Sequence, residues 1–426
     1  MNRSETTVTQ ASPEAATATR FRRVGLSAVV LAVGTFLAGC ARNAPQDTFR
    51  PAGSNSRDIN RLAMPVFIIA GVVGVLVILI VAWIVYRYKD RGQDIPEQSH
   101  GNPKLEIALT ILPAIILAVI AVPTVATVFK LNKQTDAQCI INVTGQQWWW
   151  EYDYSTGNCG TATIKAPIVT SGELVIPAKT NVLLRITSRD VIHSYWIPRL
   201  NGKRDAVPGR LHLLRMQADQ PGLYTGQCTE FCGLSHARMR EAAIALEPAD
   251  FQKWVDNQLK DYQSPAKDSL AAQGEATFTA QCSKCHQING LMNADGTPVL
   301  SEPDLYLVSG AAPNLTNLMT RTAIAGWTFD LLNDECRTKL WNASPSEFGA
   351  LYLQGVWMNT PAGATKPVCF NEGELRSWLR NAPAKKPMFA DPTKLQSTGG
   401  RYRGMPNLNL SEAQIDQLIA YLLERK

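Results

Sequence analysis

The sequence predicts a membrane-anchored, multidomain protein: a hairpin of two transmembrane helices, an outer antiparallel β-sandwich or barrel, and an all-α domain. Two long uncharged apolar runs near the N-terminus predict the helices. From about 139 to 250, short β-branched or alternating runs broken by Gly, Pro and Asn are typical of such a β-domain. An amphipathic stretch then leads into a Cys-x-x-Cys-His motif at Cys282, which opens the helical domain.

Bulk composition narrows the classes of function. The chain has 426 residues, enough for two or three domains, and a formal net charge of only +6. Its basic residues are spread along the chain, so the sequence does not predict a nucleic-acid-binding surface. Nine cysteines against five histidines indicate either disulfides or ligation of metals and cofactors, and the spacing of the cysteines must decide between them.

Residues 1–39 have the layout of a secretory signal peptide. A basic cluster precedes an apolar stretch that is too short to span a bilayer, and the stretch ends in Leu-Ala-Gly-Cys40. This ending also looks like a bacterial lipoprotein box, which would make Cys40 the lipidated first residue of the mature chain. An ordinary signal peptide with an incidental cysteine is the alternative. Residues 40–63 are then an extracytoplasmic segment.

The predicted transmembrane hairpin covers 64–130, with helices at 65–86 and 107–129. Both runs are free of charge over the roughly 20 residues that a spanning helix needs. The loop between them contains Arg87, Lys89, Arg91 and Lys104. The positive-inside rule therefore places the loop in the cytoplasm and both flanking segments outside, at the plasma membrane of a bacterial cell. A pair of buried core helices is the alternative.

The run from Cys228 to Met239 carries metal-binding chemistry. Thiolates and a thioether are soft ligands that suit copper, and imidazole completes such a set. Cys228 and Cys232 can each bridge two metal ions if a turn brings their sulfurs together. His236 and Met239 follow on the same loop, whereas His193 comes from a separate strand. These five side chains exceed what one tetrahedral ion accepts, so the pattern predicts two copper ions.

Three other interpretations account for less of the pattern. A zinc site would use both cysteines and both histidines but would leave Met239 unexplained. A blue-copper site would use a single cysteine and leave the other idle. A disulfide between Cys228 and Cys232 is the simplest option on the oxidising side of a membrane.

Residues 64–255 resemble subunit II of the haem–copper cytochrome c oxidases, whose copper pair receives electrons from cytochrome c. The resemblance rests on the segments 101–106, 147–154, 190–194, 205–210 and 228–239. It implies a cupredoxin-like domain over 135–255, followed by a linker at 256–269. The chain departs from the family at Leu109, where a tryptophan is common. Quinol oxidases of the same superfamily have lost the copper ligands, so the complete set implies a cytochrome-type donor.

The resemblance also implies roles for individual residues. The copper ligands would be His193, Cys228, the backbone carbonyl of Glu230, Cys232, His236 and Met239. The Glu230 carboxylate would face a magnesium ion at the boundary with subunit I. Trp148 would be the point of electron entry, with a packing role as the alternative. Glu106 would lie near the cytoplasmic mouth of a proton channel, with a role as an interfacial anchor as the alternative.

The C-terminal region, 270–426, is predicted to carry a covalent haem. Cys282, Cys285 and His286 form the attachment signature of c-type haem, in which two thioethers anchor the vinyl groups and the histidine ligates iron. A zinc half-site would need a second cysteine pair at similar spacing, which the sequence lacks. The sixth ligand is expected to be a methionine. Met405 is preferred because its Gly-Met-Pro setting before a final helix resembles the ending of class I cytochromes c, and the alternatives are Met292, Met319, Met358 and Met388.

The distance in sequence from His286 to Met405 is long for a compact haem domain. The excess lies at about 332–372 and contains Cys336 and Cys369. A disulfide between these two residues is the simplest account, and Cys139 with Cys159 could form another. Free thiols are the alternative in both cases.

These features together predict the redox subunit of a proton-pumping terminal oxidase, active only within its complex. Its haem would take electrons from a cytochrome or an upstream respiratory complex and pass them to the copper pair. The electrons would leave for the oxygen-reducing site of subunit I, with subunit III and membrane lipid as further partners. A membrane-anchored copper or haem carrier for oxidase assembly is the alternative, although a carrier needs a more open, labile site.

Overall fold

The computed structural model describes residues 44–92, 100–133, 136–293, 295–299, 312–388 and 404–426. The predicted signal peptide and the lipidation site at Cys40 lie outside the described residues.

Two long helices precede the β-domain. Helix α1 spans Ser54–Arg87 and α2 spans Pro103–Leu131, and both are long and apolar enough to cross a membrane. Their apolar side chains face outward instead of packing into a protein core, which does not fit the alternative of buried core helices. Helix α1 begins about ten residues before the predicted span, because its first turn belongs to the β-domain: the Asn55 side chain donates to the carbonyl of Arg215 at 2.9 Å.

The β-domain is a sandwich of two sheets. One sheet has the strand order β10-β7-β1-β2-β5 and the other the order β11-β12-β6. The strands of the first are β1 (Cys139–Gln146), β2 (Trp149–Tyr154), β5 (Ile168–Ser171), β7 (Val182–Ser188) and β10 (His212–Met216). Those of the second are β6 (Glu173–Pro177), β11 (Gly222–Gln227) and β12 (Arg240–Leu246). Two short hairpins complete the domain: β3 (Gly157–Cys159) with β4 (Ala162–Ile164), and β8 (His193–Tyr195) with β9 (Arg204–Ala206).

The sheets are mixed, which corrects the expectation of an antiparallel domain. Strands β1 and β7 pair in parallel, and so do β12 and β6. Alternating burial along a strand shows which face is covered but not which direction its neighbour runs, so the sequence pattern could not reveal this. A disulfide with an S–S distance of 2.06 Å joins Cys139 at the start of β1 to Cys159 in β3.

The C-terminal region begins after α3 (Pro248–Gln258). Helices α4 (Leu270–Gln281) and α9 (Glu412–Leu423) cross closely, since a Cβ on Gly274 would lie 2.0 Å from the carbonyl oxygen of Gln417. Between them lie α5 (Asp334–Trp341), α6 (Pro345–Tyr352), α7 (Glu372–Arg380) and α8 (Ala382–Lys385). A short hairpin, β13 (Ala323–Ile324) with β14 (Phe329–Asp330), corrects the expectation that this region is all-α.

The segment predicted as an insert forms a loop closed at its base. Leu332 and Phe370 pair as an antiparallel bridge, and the Asn333 amide donates to the carbonyl of Cys369 at 2.8 Å. A disulfide between Cys336 and Cys369, with an S–S distance of 1.98 Å, fastens the same base. We call residues 332–370 the insert. It contains α5 and α6, so it is folded and is more than a long connection.

Candidate metal centre

Two buried thiols form the middle of the candidate metal centre. Cys228 follows β11 and Cys232 lies in the next turn, with their Sγ atoms 3.9 Å apart. They are therefore not joined in a disulfide, which removes that alternative. A metal–sulfur bond is about 2.3 Å long, so an ion can contact both sulfurs across this gap. The spacing fits the bridging role predicted for the two cysteines.

The other four predicted ligand atoms surround these sulfurs. Nδ1 of His193 lies 4.0 Å and the Glu230 carbonyl oxygen 3.3 Å from Sγ of Cys228. Around Sγ of Cys232, Nδ1 of His236 lies at 3.5 Å and Sδ of Met239 at 3.8 Å. The structure thus brings together all six atoms that were predicted as ligands, and each thiol has one imidazole beside it. Because Met239 belongs to this set, a zinc site of two cysteines and two histidines leaves part of the arrangement unused.

Local backbone geometry places the ligands. The Cys228 amide donates to the carbonyl of Met239 at 3.0 Å, which closes the ligand loop at its base. Gly233 has a φ of +110°, and a Cβ there would crowd the Trp148 ring at 3.3 Å. His193 approaches from strand β8, and its ring is fully buried. The loop and the strand therefore together position the ligand atoms of the site.

Asp190 orients His193, a role that the sequence analysis did not assign. Its Oδ1 lies 2.8 Å from Nε2 of the imidazole, so Nδ1 is the nitrogen left to face Cys228. Burial opposes the charged forms of both groups and is the largest single influence on each pKa. Their mutual hydrogen bond and charge attraction outweigh burial only together with backbone hydrogen bonds to Asp190 and the contact of His193 with Cys228, so the pKa of Asp190 is lowered and that of His193 is raised. An acidic residue three positions before a predicted histidine ligand was the available signal.

The two thiols are electrostatically unequal. The hydrogen bond with Cys232, together with that to His193, lowers the pKa of Cys228 to about 4 despite burial. The same pairing, together with burial, raises the pKa of Cys232. The pairing therefore favours loss of one proton from the two thiols, and a thiolate is the form of cysteine that binds metals.

The run of three tryptophans is buried, and Trp148 is only 2% exposed. Its Nε1 donates to the Cys232 carbonyl at 3.0 Å, so the indole is bonded directly to the ligand loop. Gln147 donates to the same carbonyl through Nε2 at 2.7 Å. In contrast, Glu230 and Glu106 have exposed side chains, on the ligand loop and in the first turn of α2 respectively.

The Cys-x-x-Cys-His motif follows directly on α4. The Cys285 and His286 amides both donate to the carbonyl of Cys282, at 3.0 and 2.9 Å, so the motif forms one tight turn. Nδ1 of His286 lies 2.8 Å from the carbonyl of Pro313, which leaves Nε2 as the nitrogen available to iron. Both cysteines are free thiols, as thioether formation requires. These residues fit a covalent haem.

A second methionine lies beside the predicted sixth ligand. Met405 is half-buried, and the preceding Gly404 packs against Met388, whose Sδ would lie 2.5 Å from a Cβ on that glycine. Met388 lies 17 positions before Met405 in the sequence, and the fold brings it against Gly404, beside the preferred ligand.

Comparison with known proteins matches the two N-terminal parts of the chain to family models. Residues 139–246 match the periplasmic domain of cytochrome c oxidase subunit II, and residues 43–127 match the transmembrane domain of the same subunit. Cytochrome c oxidase subunit 2 of Alkalihalophilus pseudofirmus is 33% identical over 320 residues, covering 73% of this chain and 85% of that protein. The same subunit of Bacillus sp. PS3 is 30% identical over 354 residues, covering 80% of this chain and 79% of that protein. Among solved structures, this chain is similar to the periplasmic domain of subunit II of cytochrome oxidase from Bradyrhizobium japonicum, a crystal structure. The two sequences are 30% identical, the match covers 30% of this chain and 96% of that one, and the TM-score is 0.26.

Proposed function

Because the chain belongs to the cytochrome c oxidase subunit II family, we propose that its own covalent haem collects electrons and passes them through its copper centre to subunit I. Membership of the family implies a dinuclear copper centre and a place in an oxidase complex. The observation that carries the proposal is the set of six donor atoms: two buried sulfurs that are not bonded to each other, with four further donor atoms around them.

The copper ligands are the six predicted residues, held by their own loop and by strand β8. Copper bound there would supply one-electron redox chemistry. The chain's own residues keep that environment rigid: Asp190 fixes the His193 ring, and Trp148 and Gln147 both donate to the Cys232 carbonyl. Burial of both cysteines and of Met239 excludes water from most of the site. Such a closed site suits electron transfer better than the release of copper by a carrier.

The haem would be attached through the thiols of Cys282 and Cys285, with His286 and Met405 as axial ligands. The fixed His286 ring and the tight turn of the motif support this assignment. The alignment with the Bacillus relative covers 80% of this chain and therefore extends beyond residue 246, where the family model ends, so part of the C-terminal region is also similar to that relative. A donor and an acceptor on one chain exchange electrons without a diffusional encounter.

The remaining roles follow from the family resemblance. Trp148 is the point of electron entry, and its bond to the Cys232 carbonyl supports this role. The exposed Glu230 carboxylate is available to a magnesium ion at the subunit I boundary, and Glu106 lies at the proton-channel side. The N-terminal segment, lipidated at Cys40, and both redox domains are extracytoplasmic. The chain then works with subunits I and III in proton pumping and receives electrons from a cytochrome or an upstream complex.

Purification of the complex from membranes tests this function. We expect two copper ions and one covalent haem per chain, a seven-line copper paramagnetic resonance spectrum, and subunit I in the same preparation. Loss of copper to a mild chelator, with no subunit I present, would instead indicate a carrier that serves assembly.

A further inference from the structure

A buried carboxylate of the β-domain is satisfied by the C-terminal region. Glu173, at the start of β6, is 1% exposed. Its Oε1 accepts from the Thr322 amide at 2.7 Å, from the hydroxyl of the same residue, and from Nε1 of Trp327 at 3.2 Å. Its Oε2 accepts from the hydroxyl of Tyr352 at 2.8 Å. These partners all belong to the C-terminal region, so separation of that region from the β-domain would break every one of these hydrogen bonds. The buried carboxylate would then be left without them, which favours the docked arrangement.

A buried arginine provides the complementary charge. Arg321 is 6% exposed, and its guanidinium donates to the Ser171 hydroxyl at 2.9 Å and to the Asn314 carbonyl at 2.6 Å. Asn314 directly follows Pro313, whose carbonyl holds the His286 ring. Arg321 therefore connects the segment that holds the His286 ring to the β-domain, at the edge where Glu173 lies.

A third set of contacts covers Trp148. Lys386 is 2% exposed, and its Nζ donates to the carbonyls of Trp148 at 2.8 Å and of Ala325 at 2.7 Å. Gly326 lies so close that a Cβ there would be 2.4 Å from the Trp148 carbonyl oxygen. The Arg240 amide, next to ligand Met239, donates to the Gly326 carbonyl at 3.0 Å. These contacts place Lys386 and Gly326 of the C-terminal region directly against the backbone of Trp148 and beside the ligand loop.

The insert contributes to the same interface. Tyr352, which bonds Glu173, lies at the end of α6 within the insert. Gly349 on the same helix packs against Asp250 of α3, whose carboxylate oxygen would lie 2.2 Å from a Cβ on that glycine. The disulfide and the paired base hold α6 in place for these contacts.

We propose that residues 321–388, here called the cover, hold the C-terminal region permanently on the β-domain. The cover also closes the surface of the β-domain around Trp148, here called the Trp148 face, to external electron donors. An external cytochrome must then deliver its electrons to the C-terminal region, which does not swing on its linker. The docking rests on the contacts alone. The statement about electrons rests on the proposed function.

Hydrogen–deuterium exchange on the full-length chain in its purified complex tests the docking. Peptides covering 145–150 and 322–328 should be strongly protected. The double variant Tyr352→Phe/Lys386→Met removes cross-domain hydrogen bonds that involve charged groups while keeping most of the buried volume. It should speed exchange of both peptides together by about tenfold or more. Tyr421→Phe is the matched control, because its hydroxyl bonds only Tyr262 among the contacts that the structure gives for it.

Two outcomes would overturn the proposed docking. One is fast exchange of both peptides in the unmodified protein. The other is a double variant that exchanges like the Tyr421→Phe control. Peptides from residues 139–144 of β1 and from β7 should exchange equally in all three proteins, which checks that the β-domain stays folded.

Copper reduction tests the closed face. In the copper-loaded variant Cys282→Ala/Cys285→Ala, which cannot bind haem covalently, reduced soluble cytochrome c should reduce copper at least about a hundredfold more slowly than in the unmodified protein. Ascorbate with a small mediator should reduce both at similar rates. Exchange of 145–150 checks that the cover stays docked in this variant. Rapid reduction by the cytochrome while the cover is docked would overturn the closed face. A chain that binds no copper would refute the proposed function, and the exchange experiment would still decide the docking.

Discussion

The Asp190 carboxylate lies 2.8 Å from Nε2 of His193, on the side of the ring opposite the thiol of Cys228. Its second oxygen accepts from the Gln147 amide at 2.7 Å. One carboxylate thus positions both a predicted copper ligand and the residue next to Trp148. Partners that fix the free nitrogen of a histidine ligand set the orientation of the ring and raise its basicity as a ligand.

Asp190→Asn should therefore weaken copper binding by about 10–100-fold, because an amide cannot accept both hydrogen bonds through equivalent oxygens. Competition with a chelator of known affinity measures the change. Asp256→Asn, an exposed change on α3, is the control and should bind copper normally. Equal affinities in the two variants would show that Asp190 does not support the site.

Met239→Leu tests the thioether. Met239 and Met216 are both fully buried, and only Met239 adjoins a cysteine sulfur. Leucine has a similar volume, so each change should alter the free energy of unfolding by less than about 1.5 kcal/mol. Copper content and the copper absorption spectrum should change in Met239→Leu and stay unchanged in Met216→Leu. Identical spectra would remove Met239 from the ligand set.

The sequence predicted the ligand set well because its chemistry is local. Five of the six ligands lie within twelve residues, and their mixture of soft donors with imidazole suits few metals besides copper. The interface could not be predicted in the same way. Glu173, Arg321 and Lys386 look like ordinary surface charges in the sequence, and only tertiary packing buries them. Strand direction was missed for a related reason, because β1 and β7 pair across a long stretch of chain.

The disulfide at the base of the insert should stabilise the C-terminal region. Its cysteines are 33 residues apart, and closing a loop of this length contributes about 2–4 kcal/mol to the free energy of unfolding. Cys336→Ser/Cys369→Ser should therefore unfold this region at a lower temperature, measured by the thermal loss of its exchange protection. The β-domain peptides provide the internal reference. An unchanged transition would mean that the paired base suffices without the disulfide.

Glu151 predicts a pH dependence. It lies on β2 with Oε1 2.7 Å from Nη2 of Arg189, and burial raises its pKa to about 7, more than the pairing with Arg189 lowers it. Between its ordinary value of 4.5 and about 7, the folded protein holds more protons than the unfolded chain. Stability of the β-domain should thus fall as pH rises through this window, by at most about 3 kcal/mol.

Glu151→Gln should flatten this dependence, since the amide does not titrate. The urea midpoint of β2 peptides in hydrogen exchange, compared at pH 5 and pH 7.5, measures the slope. Asp256→Asn should keep the slope of the unmodified protein. A slope that survives in Glu151→Gln would assign the dependence to another group.

Met405 and Met388 can be separated by substitution. If Met405 ligates the haem iron, Met405→Ala should lose the optical band of methionine-ligated iron and lower the reduction potential. Met388→Ala should keep both, because its role is packing against Gly404. The reverse result would make Met388 the ligand.

The insert leaves and rejoins the chain at almost one point, because Leu332 and Phe370 are paired neighbours. Such a segment can be shortened, removed or exchanged without changing the path of the chain on either side. The stability of the association between the two redox domains can therefore be changed without altering the fold of either domain. A short turn in place of 333–369 would leave the other contacts of Glu173 and Lys386 in place while removing that of Tyr352. The strength of domain association could then be varied by design while the residues that bind the cofactors stay unchanged.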